Sequence, residues 1–226
     1  MTGGRGGLDG AALLAHPLGR AVVEVVNERG YELADVAAFL ARADVPEAEF
    51  RGRFAGKPEA VLAVLEAMIG EFRRRVDEAY RSGGAWPDSL RAAGHETVRW
   101  LLEHPGRARF AMVSTAPAGD MARARREELF LWGASLVDEG RSVAADPAAV
   151  PTRAGVIAIG AVVEDLRRHQ EGTLFGDILG ALPRMMYAAV RPYLGEAAAR
   201  RELAMPLPAD LERGAAERRR VARHLF

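Results

Sequence analysis

Apolar residues recur every three to four positions along most of this 226-residue chain. That period constrains the fold more than any other feature. Spacings of i, i+3, i+4 and i+7 put side chains on one stripe of an α-helix, and no stretch shows the two-residue alternation of a hairpin strand. In ALLAHPLGRAVVEVVNERGY, Leu18, Val22, Val25 and Val26 share a stripe, and Gly30 is expected as a left-handed cap. LADVAAFLARA brings Val36, Phe39, Leu40 and Ala43 to one face. A short helix is expected to begin at Pro46, because the fixed φ of proline suits a first turn. A long helix follows from Pro58, burying Val61, Leu65, Met68, Ile69 and Phe72, and stops at Gly83-Gly84. Asp88 or Ser89 caps the next helix, which breaks at His104-Pro105-Gly106. Beyond a brief RARFAMVS helix, a long one ends near Gly140, and an apolar one runs from Thr152 to about His169. The last two are LFGDILGALPRMMYAAVRPYLG, kinked at Pro183, and EAAARREL. The fold class is all-α.

Charge and chemistry narrow the function. Basic and acidic residues balance at 31 each, so no net field draws in nucleic acid or a cationic partner. With 0 cysteines there are no disulfides, thiolate zinc sites or cysteine nucleophiles, which fits a cytoplasmic location. No apolar run approaches the ~20 residues of a membrane span, and MTGGRGGLDG lacks the apolar segment of a secretory signal. His95-Glu96-Thr97-Val98-Arg99 lacks the second histidine of a zinc-protease helix. GGRGGL precedes no strand–helix unit, and Ser135 and Ser142 have no base in view. The arginine triplets at 73–75 and 218–220 read as solvated helix faces. No catalytic group, metal site or cofactor is expected.

The informative segment is GYELADVAAFLARADVPEAEFRGRFAGKPEAVLAVLEAM. Two short helices joined by the tight turn Ala43-Asp44-Val45-Pro46 make a helix-turn-helix pattern. Over about residues 17 to 72 it resembles the DNA-binding region of the TetR family of bacterial repressors. Gly30-Tyr31, Val36, Phe39, Ala43, Val45, Phe50, Phe54 and Lys57 fall on matching positions, and VRPYLGEAAAR resembles the close of that family's penultimate helix. The resemblance implies a helix-turn-helix domain at 10–57, and the glycine-rich residues 1–9 before it read as a flexible tail. The resemblance also implies a ligand-binding and dimerisation domain at 58–204 and a tail helix at 205–226. Lys57, the chain's only lysine, stands where the family places a phosphate-contacting lysine at a helix start. The resemblance assigns the DNA interface to Ala34, Asp35, Pro46, Glu47, Glu49, Arg51, Gly52, Arg53 and Lys57.

The chain departs from the family's pattern at several of these. Ala34 replaces a capping threonine, with Asp35 free to cap instead. Asp44 replaces the turn glycine, Glu49 a threonine and Arg51 a tyrosine. The first 57 residues carry seven basic and eight acidic side chains, a net charge of −1, although phosphate neutralisation supplies most non-specific affinity. Two readings stay open. Glu47 or Glu49 accepts from cytosine N4 while Arg51 and Arg53 contact phosphate or guanine, or the headpiece keeps its fold and has lost tight DNA binding.

In the resembled family the C-terminal helices hold a small effector and pair two subunits. Gly155, Ile159, Gly160 and Val163, with Met185 and Met186, are the dimer candidates. Trp86, His95, Trp100, Phe110, Met112, Met121, Phe130 and Trp132 are the pocket candidates, and their composition suits a largely apolar effector. The expected partners are double-stranded DNA, a second copy of the chain and that effector, with no membrane.

Overall fold

A computed structural model describes residues 9–171 and 178–213, all helix and connecting loop without a strand. The helices are α1 (Gly10–Ala15), α2 (Pro17–Leu33), α3 (Val36–Ala43), α4 (Glu47–Arg53), α5 (Lys57–Ser82), α6 (Trp86–Glu103), α7 (Pro105–Arg109), α8 (Asp120–Asp138), α9 (Ala154–Gln170) and α10 (Ile178–Leu203). A π-turn at Phe110–Ser114 follows α7, and a 3-10 turn at Glu139–Val143 follows α8. The all-α expectation holds. Residues 1–8, most of the expected tail, lie outside the described residues, as do residues 214–226 of the tail helix and the second arginine triplet.

The described residues form two compact units, 9–73 with His104–Glu127, and Arg74–Glu103 with 128–213. They do not follow the expected boundary at Lys57-Pro58, because α5 is one uninterrupted helix of 26 residues that contributes to both.

In the first unit the expected stripe is the core. Leu18, Val22, Val25 and Val26 of α2 pack with Phe39, Phe50, Phe54, Val61, Leu65, Met68 and Phe110. Each such side chain stabilises by about 1.5–3 kcal/mol on burial. Ile69 and Phe72 are half-buried. Asn27 ties α2 to the return segment, donating to the Gly106 carbonyl at 2.8 Å and accepting from the Ser114 hydroxyl at 2.7 Å. The helix expected to run through HPLGR is instead divided at His16, since the proline after it holds His16 extended (ψ 144). Gly30 adopts φ 79 and ψ 160, a break that only glycine enters easily. Three further residues continue α2 beyond it.

In the second unit α6 packs on α10, and Trp86, Leu90, Trp100 and Leu101 of α6, Val137 of α8 and Leu182, Met186, Val190 and Tyr193 of α10 are buried. Trp86 Nε1 donates to the Leu136 carbonyl at 3.0 Å, and its ring meets Tyr193 edge-on at 5.1 Å. Arg91 grips the buried Glu202 carboxylate through two bonds, 2.8 and 2.7 Å. Pro183 stands inside α10 with helical φ/ψ, and the residue whose φ/ψ leave the helical region is Gly195 (φ 77), where the sequence divides YLG from EAAAR.

Candidate nucleic-acid interface

Local chemistry builds the helix-turn-helix. Asp35 caps α3, its Oδ1 accepting from the Ala38 N–H at 2.7 Å. Asp44 enters the left-handed region (φ 52, ψ 50) and turns the chain. Helix α4 begins one residue after Pro46, which is its cap and makes no side-chain bond. Phe50 and Phe54 fasten α4 to the core, with ring centroids 5.3 Å apart.

At seven residues, α4 has room for one buried stripe. Glu49, Phe50, Arg53 and Phe54 lie inward or on its flank; Glu47, Ala48, Arg51 and Gly52 face out. This divides the two glutamates that the sequence left equivalent. Glu47 is solvent-exposed and pairs with Arg51 one turn on, Oε1 to Arg51 Nε at 2.7 Å. Their side chains remain 56% and 70% exposed, so the pair is worth only about 0.3–0.5 kcal/mol and separates cheaply. Glu49 is held by two partners on the protein side, His16 Nε2 at 3.0 Å and Arg53 at 3.4 Å. Arg53 Nε is buried without a hydrogen-bond partner.

Lys57 does something the sequence did not show. Its Nζ donates to the carbonyls of Tyr31 at 2.9 Å and Glu32 at 3.3 Å, and it lies 4.5 Å from the Tyr31 ring centroid. These are orphan carbonyls at the end of α2, where a cation also meets the negative end of the helix dipole. A compact ammonium with three donors serves two successive carbonyls and a ring face at once. At most one donor is left for a phosphate.

Ala34 needs correction as an interface residue. It is 1% exposed within the core, and its N–H is taken by the Gly30 carbonyl. The methyl holds the base of α3 and presents nothing to a strand. Asp35, Pro46 and Gly52 remain on the surface. Leu33, beside them and 75% exposed, escaped the sequence reading because it fits the helical stripe pattern. His16 escaped it as a lone histidine before a proline.

The pocket candidates divide between the two units. Phe110, Met112 and Met121 belong to the first unit, and Trp86, His95, Trp100, Phe130 and Trp132 to the second. Phe110, Trp86 and Trp100 are buried core side chains, and Met121 is exposed. Burial, with Arg91 and Arg99 nearby, holds the half-buried His95 below its ordinary range.

The dimer candidates also need correcting. Gly155 and Met186 point into their own unit. A Cβ on Gly155 would stand 2.5 Å from the Ala134 carbonyl oxygen, and Met186 is buried. Ile159 packs toward Gly133. The exposed stripe of α9 is Val156, Ile157 and Val163, with Ile157 68% exposed and Gly160 half-buried beside it. Met185 is half-buried. Among the described residues no group of acidic or histidine side chains is arranged to hold a metal ion, and no helix is long and apolar enough to cross a membrane.

No protein-family model and no curated protein matches the chain. Solved structures do. The fatty acid degradation regulator FadR from Bacillus halodurans superposes with a TM-score of 0.68 at 15% identity, over 77% of this chain and 93% of its own. FadR from Bacillus subtilis, solved in complex with stearoyl-CoA, gives 0.67 at 15% identity, over 78% and 97%. A TetR family transcription regulator from Marinobacter aquaeolei VT8 gives 0.61 at 19% identity, over 78% and 93%. The chain has the fold of these regulators. The structure thus agrees with the resemblance read from residues 17 to 72 and extends the likeness in fold over most of the molecule.

Proposed function

We propose that this protein is a DNA-binding transcriptional regulator, a repressor that acts as a homodimer on a palindromic operator and is released by a small, largely apolar effector. The observation that carries this is the outward face of α4. Glu47 and Arg51 stand exposed on the second helix of a helix-turn-helix, joined by a pair that costs little to open. In a major groove Arg51 donates to guanine O6 and N7, and Glu47 accepts from a cytosine N4. Two headpieces then meet half-sites about one helical turn apart, ~34 Å. The stripe Val156, Ile157 and Val163 on α9, exposed among the described residues, is the surface through which two copies pair. An apolar effector suits the aromatic and methionine residues of the chain, and the stearoyl-CoA complex of one structural neighbour supports that class. To release DNA, the effector has to favour one headpiece spacing over another.

A second reading, a dimeric small-molecule-binding protein with DNA binding lost, draws on the charge pattern. Both arginines of α4 are paired with glutamates of the same helix, leaving it neutral. Selection from a random duplex library separates the two. Under the first reading a palindrome is enriched, and Arg51→Ala relaxes the preference at one position of each half-site. No enrichment at low salt, with the dimer intact, favours the second.

A further inference from the structure

Helix α4 is poorly held by its own residues. It has seven residues, no side-chain cap, and an exposed glycine in its last turn. Phe50 and Phe54 pin it along one line of contact, about which a short helix can rock. On its flank, His16 and Arg53 both stand against Glu49. The backbone N–H of His16 closes α1 by donating to the Ala12 and Leu13 carbonyls at 3.0 and 3.2 Å. Its Nδ1 accepts from the Leu18 N–H at 3.2 Å and so caps α2. With Nδ1 as the acceptor, Nε2 is the ring's donor, and that atom faces Glu49 Oε1 at 3.0 Å.

We infer that His16 is the positioning residue of the recognition helix. It draws Glu49 toward the α1–α2 corner, fixes the rotation of α4, and leaves Glu47 and Arg51 alone to read base edges. The inference rests on the DNA-binding reading above. A tethered Glu49 is also a carboxylate kept away from phosphate, which would repel it. Base readout demands fixed donor directions, whereas phosphate attraction tolerates a rocking helix. Loss of the tie therefore lowers affinity for a specific site more than affinity for any duplex.

Two substitutions divide the ring's functions. His16→Asn keeps an oxygen where Nδ1 caps α2 but cannot reach Glu49. His16→Gln places an amide N–H near the Nε2 position and gives up the cap. The probes are a duplex selected by the wild type and a random duplex of equal length. The ratio of their affinities is read beside thermal stability. For His16→Asn we expect near wild-type stability and a ratio reduced roughly ten-fold, the scale of one base contact. For His16→Gln we expect lower stability with the ratio kept. An unchanged ratio in His16→Asn overturns the inference, as does a ratio that tracks stability in both variants. If His16→Asn fails to fold, Glu49→Ala severs the tie without touching the cap, and must lower the same ratio for the inference to stand. A wild type that prefers no duplex defeats the DNA-binding reading itself. A wild type that discriminates while every variant keeps its ratio defeats only the role of His16.

Discussion

Replacing Lys57 with alanine separates a structural clasp from a phosphate contact. The ammonium bonds two carbonyls at the end of α2 and lies against the Tyr31 ring. A hydrogen bond from a charged donor contributes about 1.5–3 kcal/mol, and a cation on an aromatic face about 0.5–1 kcal/mol near the surface. Water replaces part of this, since the Glu32 bond is exposed, so Lys57→Ala should cost about 1–3 kcal/mol. For a chain of this size each kcal/mol moves Tm by about 2–4 °C. Urea unfolding followed by circular dichroism measures the loss. In parallel, the salt dependence of duplex binding counts phosphates, each adding about 0.9 to the slope of log affinity against log salt. With the Lys57 ammonium held on two carbonyls and a ring of the protein, the variant should shift that slope by less than one such unit. Unchanged stability together with a full unit of lost slope would refute the clasp.

Other substitutions probe the second unit and the surface of α9. Gly140→Ala sets a Cβ 2.4 Å from the Trp86 ring; calorimetry should show a loss of about 1–3 kcal/mol from overpacking. His95 is held below its ordinary value of 6.5 by burial first and then by Arg91 and Arg99. The unfolded chain therefore takes up that proton first as pH falls, so wild-type stability relative to His95→Gln should drop as pH falls through about 6.5. Equal pH profiles in denaturant unfolding would contradict this. Arg91→Ala strands the buried Glu202 carboxylate and should cost about 3–5 kcal/mol, most of it recovered in Arg91→Met/Glu202→Leu. Ile157→Glu on the exposed stripe should shift sedimentation from dimer to monomer while leaving the helical content intact.

The helices and their core stripes were legible because apolar period and punctuation agreed locally. Leu18, Val22, Phe39, Phe50 and Phe54 are buried as their spacing requires, and Asp35 and Asp44 supply the cap and the turn. What the sequence hid was three-dimensional bookkeeping. Lys57 meets carbonyls 26 and 25 residues away, and His16 meets Glu49 across a corner; neither is encoded by spacing along one helix. Register on α9 was missed by a small rotation. Glycines suggested the contact face at Gly155, but that glycine admits the backbone of α8 within its own unit, and the free face passes through Ile157. The compact units escaped as well, since α5 carries no break where the short helices end and the long ones begin.

The central claim is that the outward face of α4 engages duplex DNA. Purified wild-type chain, incubated with a fluorescent pool of random duplexes at low ionic strength and read by anisotropy, tests it most directly. Retention should weaken steeply with salt, and a palindrome should be recovered after a few rounds of selection. Anisotropy that stays at the free-duplex value at every protein concentration contradicts the claim.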